Sequence, residues 1–126
     1  MANEASPLFR PGRDITGLTT GAVTGKTFVA VSADVDATTG MIKVNTASAG
    51  AKALGVASRD AASGTTLAIQ RGGVLQVTAG AAITAGAQVE VGASGRAITL
   101  ASGIPVGYAV KSASGAGVDT FIAFYE

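Results

Sequence analysis

Residues that could carry chemistry are few in this sequence, and the commonest catalytic and metal-binding types are missing. The chain of 126 residues contains no His and no Cys. That composition excludes imidazole acid–base catalysis, the usual Ser-His-Asp triad, thiolate chemistry, disulfide scaffolds and Cys/His zinc sites. With no Trp, four Phe and two Tyr, the chain also offers little surface on which bases or sugars could stack.

The stretch from Thr20 to Thr27 ends like a phosphate-binding loop. Such a loop needs a Gly, four residues and then Gly-Lys-Ser/Thr, followed by a helix whose N-terminus holds the phosphate. Gly25 and Lys26 fit this pattern, but Thr20 stands where the first Gly belongs. The β-branched alternation of residues 28–31 predicts a strand in place of the helix. We therefore interpret the segment as a Gly turn that leads into a strand.

Asp34 and Asp36 resemble the start of a calcium-binding loop. The loop would continue with Asp or Asn at position 38 and Gly at position 39. Thr38 and Thr39 stand there instead, so we expect a solvated turn.

Glu90 and Asp119 are the carboxylates set most deeply in β-rich stretches. A glycosidase-like pair would need two carboxyl groups across a cleft lined by aromatic side chains, and the aromatic residues are too few. Because side chains alternate along a strand, Glu90 should face away from Val89 and Val91, toward solvent or a neighbouring subunit. The sequence therefore predicts no catalytic residue, no cofactor, no metal ligand and a protein that is not an enzyme.

The charged residues favour a binding protein. Nine Lys+Arg against eight Asp+Glu give a formal net charge of +1, which provides no electrostatic footprint for nucleic acid or an anionic membrane. Arg is enriched at protein interfaces, where it forms bidentate pairs with carboxylates. The arginines stand in the N-terminal segment or beside predicted turns: Arg10, Arg13, Arg59, Arg71 and Arg96.

Short β-rich runs separated by turn residues make up most of the chain. About nine runs recur at roughly the 8–12-residue spacing of an all-β barrel or sandwich. They cover residues 26–31, 41–44, 54–57, 66–70, 73–77, 88–91, 96–100, 106–110 and 118–125. Residues 46–55 could hold a turn or two of helix, but they show no apolar stripe. We predict one all-β barrel domain over residues 15–126, with at most one short helix.

The core of this barrel is expected to be thin. The chain has 26 Ala and 18 Gly, against 34 larger apolar residues. A domain of this size is already limited in the surface it can bury, so oligomerisation or docking on a partner should stabilise it. No transmembrane span or secretory signal is recognisable, which predicts synthesis in a cytosol-like compartment.

Residues 1–14 are expected to form an extended N-terminal arm. Its Pro and Gly residues disfavour a helix or a central strand, yet Leu8 and Phe9 are apolar. One interpretation is a frayed terminus, which most domains have. The other is a tether that lays Leu8 and Phe9 into a groove of another subunit.

Six stretches, distributed from residue 11 almost to the C-terminus, carry a family resemblance through their order and spacing. They are residues 11–16 (PGRDIT), 25–29 (GKTFV), 53–57 (ALGVA), 71–74 (RGGV), 82–91 (AITAGAQVEV) and 106–109 (VGYA). Together they resemble the small decoration, or cement, proteins of tailed-bacteriophage capsids.

The resemblance implies a small, β-tulip-like barrel that coats the outer surface of an assembled capsid and stabilises it, often as a homotrimer. It also implies that an N-terminal arm contacts the major capsid protein, without nucleic acid or membrane partners, after synthesis in the host cytoplasm. Under this hypothesis the capsid-binding residues of the arm are Leu8, Phe9, Arg10, Arg13 and Asp14. The alternative is a β-rich segment of a phage tail fibre or adhesin, which only the Thr-Ala-Gly echoes within residues 77–87 support.

Overall fold

The computed structural model describes residues 14–125, and strands dominate this part of the chain. The ten strands are β1 (Asp14–Thr19), β2 (Phe28–Ala33), β3 (Ile42–Thr46), β4 (Gly55–Ala57), β5 (Thr66–Gln70), β6 (Val74–Thr78), β7 (Gln88–Val91), β8 (Ala97–Thr99), β9 (Gly107–Ala109) and β10 (Asp119–Phe124). The one helical element in this range is a 3-10 turn at Ala93–Gly95. The all-β prediction is confirmed, and the suggested helix at residues 46–55 does not form.

The first five strands close into a barrel in the order β1-β3-β2-β4-β5. β1 lies parallel to β3 and antiparallel to β5. The interior is filled by eight buried apolar side chains: Ile15, Val23, Val29, Val44, Ala57, Ala61, Leu67 and Ile69. β1 is the strand that the sequence analysis missed, because Gly17 interrupts its apolar alternation. Gly17 is required there, since a Cβ at this position would clash with the Cδ1 atom of Ile69.

The last five strands form a second sheet in the order β6-β10-β9-β7-β8. All four neighbouring pairs are antiparallel. Between β6 and β8 the described ladder is reduced to one parallel bridge, from Ala79 to Ala97. The second sheet is therefore an incompletely closed counterpart of the barrel.

The two halves repeat the same connectivity, with β1–β5 matching β6–β10 in order. An isolated bridge joins Val23 to Ala61 in the first half, and its counterpart joins Ile83 to Ala113 in the second. A Cβ on Gly55 would press on the Cγ2 atom of Ile69 at 2.7 Å, and a Cβ on the matching Gly107 would press on the Cγ2 atom of Ile122 at the same distance. The chain is thus an internal duplication of one five-stranded unit.

A shared core makes the two halves one domain. Phe28, Ala47 and Val56 project from the outside of the barrel and are buried in the same cluster as the core residues of the second half. The ring of Phe28 stacks on that of Phe124, with centroids 6.4 Å apart and an interplanar angle of 28°. Side chains of the first half therefore complete the core of the second half.

An ion pair also joins the halves at the surface. The ammonium of Lys26 donates a hydrogen bond of 2.6 Å to Oδ2 of Asp119. The same carboxylate accepts hydrogen bonds from the amide of Gln76 and the hydroxyl of Thr78. The bond from Lys26, helped by Thr78 and Gln76, lowers the pKa of Asp119 below its ordinary value. Lys26 adopts a positive φ of 61°, where the second half has Gly86 at 90°.

Replacing Asp119 by Asn should lower the free energy of unfolding by about 1 kcal/mol at neutral pH. Because the folded state depresses the pKa of Asp119, this stabilisation is complete above about pH 4 and is lost as the pH falls through the folded-state pKa. Urea unfolding of both proteins from pH 2 to pH 7 should show curves that converge at the acid end. A difference that does not shrink as the pH falls would contradict the assignment to the ionised carboxylate.

Candidate functional site

The arm residues singled out by the sequence fall mostly outside the described range. Leu8, Phe9, Arg10 and Arg13 precede it, so their placement remains a prediction. Asp14 is exposed, but it is the first residue of β1 and pairs with Gln70 of β5, so it belongs to the barrel and not to an arm. The segment that precedes Asp14 therefore joins the barrel beside Gln70, at the end of β5.

A groove with a volume of about 640 Å³ lies between the two halves, close to that point. Its walls are mostly apolar and come from both halves: Ala30, Val31, Ala51, Lys52, Ala53, Leu54, Arg71, Ile104, Pro105, Val106 and Tyr125. Val31, Ile104 and Tyr125 expose large apolar side chains along it. The groove can therefore receive apolar side chains of a partner, and Lys52 and Arg71 are the cations in its lining.

Two of the arginines predicted near turns hold local structure. Arg71, directly after β5, donates from Nε to the carbonyl of Leu54 at 3.0 Å and so fixes one wall of the groove. Arg59 donates to the carbonyls of Asp60 and Thr66 at 3.1 and 2.6 Å. Of these two, Arg71 lines the groove, whereas Arg59 stabilises the loop in which it lies.

A second apolar surface covers the outside of the second half, and we call it the tyrosine face. It consists of exposed residues on three adjacent strands and their ends: Val74, Tyr108, Val110, Phe121 and Tyr125. The rings of Tyr108 and Tyr125 lie 6.1 Å apart between centroids. Lys111 places its ammonium 5.8 Å from the centre of the Phe121 ring at one side of the face. Sequence reasoning missed this surface, although Tyr108 and Val110, which alternate with Ala109, and the aromatic residues Phe121 and Tyr125 were its signal.

The predicted exposure of Glu90 is wrong. Glu90 does face away from Val89, but only 5% of its surface is exposed, and its Oε2 has no hydrogen-bond partner. Two loop segments cover this side of β7: Gly50 bonds to the carbonyl of Val91, and Gly103 lies against the carboxylate. Alternation gave the correct side of the strand but could not reveal the loops packed over it.

Replacing Glu90 by Met should raise the free energy of unfolding by about 1 kcal/mol, because the change removes a buried polar oxygen without a partner and keeps a similar shape. The exposed Gln88 on the same strand provides the control, since Gln88→Met should change stability little. Urea midpoints of the three proteins test this. A loss of stability in Glu90→Met would show that the carboxylate has a stabilising role.

The two incomplete loop motifs form ordinary turns. After Gly25 and Lys26 the chain enters β2, as predicted, and the amide of Gly25 is occupied by Oδ1 of Asp60 at 2.7 Å. Asp36 accepts hydrogen bonds from the amide and hydroxyl of Thr39, which lower its pKa. Within residues 14–125, no group of three or more acidic, His or Cys side chains is arranged to hold a metal ion.

Comparisons with known proteins agree with this architecture. Residues 10–124 match a family model described as phage cement protein. The fold is similar to the crystal structure of the head fibre gp8.5 N base in bacteriophage phi29, with a TM-score of 0.68, 26% identity, and coverage of 90% of this chain and 97% of that chain. Among curated proteins, none matches the sequence. The described residues contain no helix that is long and apolar enough to span a membrane.

Proposed function

We propose that this chain, a member of the phage cement protein family that decorates the capsid as a virion component, binds the major capsid protein from outside through its N-terminal arm. The family match over residues 10–124 carries the decoration role. In more detail, we propose capsid contacts for the arm residues Leu8, Phe9, Arg10 and Arg13, and for Asp14 at the start of β1. Leu8 and Phe9 provide apolar area, and the two arginines provide bidentate partners for capsid carboxylates.

The position of Asp14 supports a combined site made of arm and groove. Asp14 lies beside Gln70, and the next residue along, Arg71, lines the groove. Stretched out, the arm would reach roughly 45 Å from this point. An arm that starts at Asp14 would begin close to the groove, so the two could hold one capsid segment between them.

The docking is expected to be apolar and hydrogen-bonded. A net charge of +1 provides little long-range attraction, so contact area and edge-strand pairing between arm and capsid supply the affinity. We propose that the protein sits on the shell as a homotrimer, in which three arms act as one multivalent ligand. Because such a ligand binds only the assembled shell, it stabilises that shell by mass action.

The proposed activity is binding without catalysis. Clamping assembled capsid proteins requires no reacting group, and this agrees with a chain that has no His and no Cys. We also propose that the protein is made in the host cytoplasm and joins the shell there.

Cryo-electron microscopy of particles lacking the protein, with and without added purified protein, tests this function. New density is expected on the outer capsid surface, with a thin extension from each copy that contacts the major capsid protein. Density restricted to the tail would overturn the proposal and favour the tail-fibre alternative. Copies seated on the shell with no arm contact would keep the decoration role and refute the arm.

A further inference from the structure

The two matched halves of the chain present very different outer surfaces. On the second half the five residues of the tyrosine face are each between 38% and 56% exposed. On the first half, the positions that match Val74, Val110 and Phe121 are occupied by Asp14, Ser58 and Ala68, which are exposed and polar or small. The same strand geometry therefore folds without a large apolar residue at these three positions, so it does not by itself require Val74, Val110 and Phe121.

The position that matches Tyr108 shows what such a surface does in this fold. Val56 of β4 matches Tyr108 of β9, and Phe28 of β2 matches Gln88 of β7. In the first half this row is fully buried, because Phe28 and Val56 pack into the second half. The outer side of this strand pair is thus already used, within the chain, to bind another five-stranded unit of the same kind. Its counterpart in the second half is left open.

The open face is large enough to contribute to a stable contact. From the exposed fractions, the five side chains present on the order of 400 Å² of mostly apolar surface, where a standard interface buries roughly 800 Å² per partner including its polar rim. Such a patch lies within the size range that marks binding sites on soluble proteins. Gln76 on β6 and Gln88 on β7 are exposed beside it and offer polar groups for the rim of such a contact.

We propose that the tyrosine face binds a second copy of this chain, as the contact between neighbouring copies on the shell. The proposal rests on the proposed trimer, which is the setting in which the copies meet. It assigns two adjoining surfaces that share Tyr125 at their border: the arm and groove bind the capsid, and the tyrosine face binds the next copy. The occupant is a copy and not a charged ligand because the two nearby charged groups already interact within the chain: Asp119 pairs with Lys26, and Lys111 lies over the Phe121 ring.

Sedimentation equilibrium of the full chain, free of capsid, tests the inference with the double variant Tyr108→Lys/Phe121→Lys. The control is Ala68→Lys, which places a lysine at the matched exposed position of the first half. The wild-type protein and the control should associate, and the double variant should associate at least about 100-fold more weakly, since two aromatic anchors are lost. Thermal unfolding at low concentration should be similar for all three, because the replaced side chains are exposed.

A second readout applies if the wild-type protein is monomeric when free. Density of decorated particles should then show the tyrosine face against a neighbouring copy, and the double variant should bind with a shallower, less cooperative occupancy curve. A tyrosine face open to solvent, or seated on the capsid protein, overturns the inference while leaving decoration intact. Failure of every variant to bind particles would refute the proposed function alone, because association in solution does not depend on the capsid.

Discussion

Deleting residues 2–13 is expected to leave the domain folded with an unchanged melting temperature, while affinity for the capsid falls by orders of magnitude. The first strand begins at Asp14, and both buried clusters are assembled from residues within 14–125. Burial of Leu8 and Phe9 on the capsid would supply roughly 3–6 kcal/mol gross per arm, less the cost of ordering the segment. In a trimer the loss would apply to three arms at once.

The measurement is co-sedimentation of labelled protein with particles that lack it, beside thermal unfolding of the free protein. A full-length double variant, Leu8→Ser/Phe9→Ser, should reproduce most of the binding defect. The matched control Asn3→Ser/Ala5→Ser changes the same segment without touching the apolar pair and should bind normally. Undiminished decoration by the truncated protein would place the site on the folded surface, and failure to fold would place the arm in the core.

The strands were predictable where the sequence alternates strongly. β5 and β7 occur at the predicted residues, 66–70 and 88–91, because apolar and polar residues alternate there between turn residues. β1 was not predictable in the same way, because Gly17 is needed for close packing on Ile69 and removes one apolar position from the pattern. Its parallel partner β3 is also distant in sequence, so no local turn indicates the pairing.

The duplication could not be recognised from the sequence, because few matched positions of the two halves carry the same residue type. The sequence shows an echo inside residues 77–87, whereas the structure matches that segment to residues 17–27 of the first half. The shared features are small buried positions and turns, such as Gly55 with Gly107, and these residue types recur throughout an Ala- and Gly-rich chain. The matched outer positions diverge, since one half uses them to bind its partner half and the other leaves them exposed.

The candidate site was predictable only in part for a related reason. Composition excluded most catalytic chemistry, and the arm could be proposed from Leu8 and Phe9. The groove could not be predicted, because its walls come from both halves and depend on how they dock. That docking also determines which surfaces are covered and which remain available to a partner.

Phe28→Ala should lower the free energy of unfolding by about 3–5 kcal/mol, the range observed for large-to-small changes at fully buried aromatic positions. Phe28 is 0% exposed and stacks on Phe124 of the other half. The matched position in the second half is the exposed Gln88, so an aromatic residue here serves the contact between halves and not the strand itself. A loss of this size is a large fraction of the stability of a typical domain.

Urea unfolding with amide hydrogen exchange resolved by residue measures this effect in each half separately. Phe121→Ala, an exposed phenylalanine on β10, is the control and should cost much less. Because the cavity forms in the shared core, protection should fall in β4 and β5 as well as in β9 and β10, and unfolding should remain a single transition. If the second sheet loosens while the barrel keeps its full protection, the halves are independent units and Phe28 serves only the stability of the second.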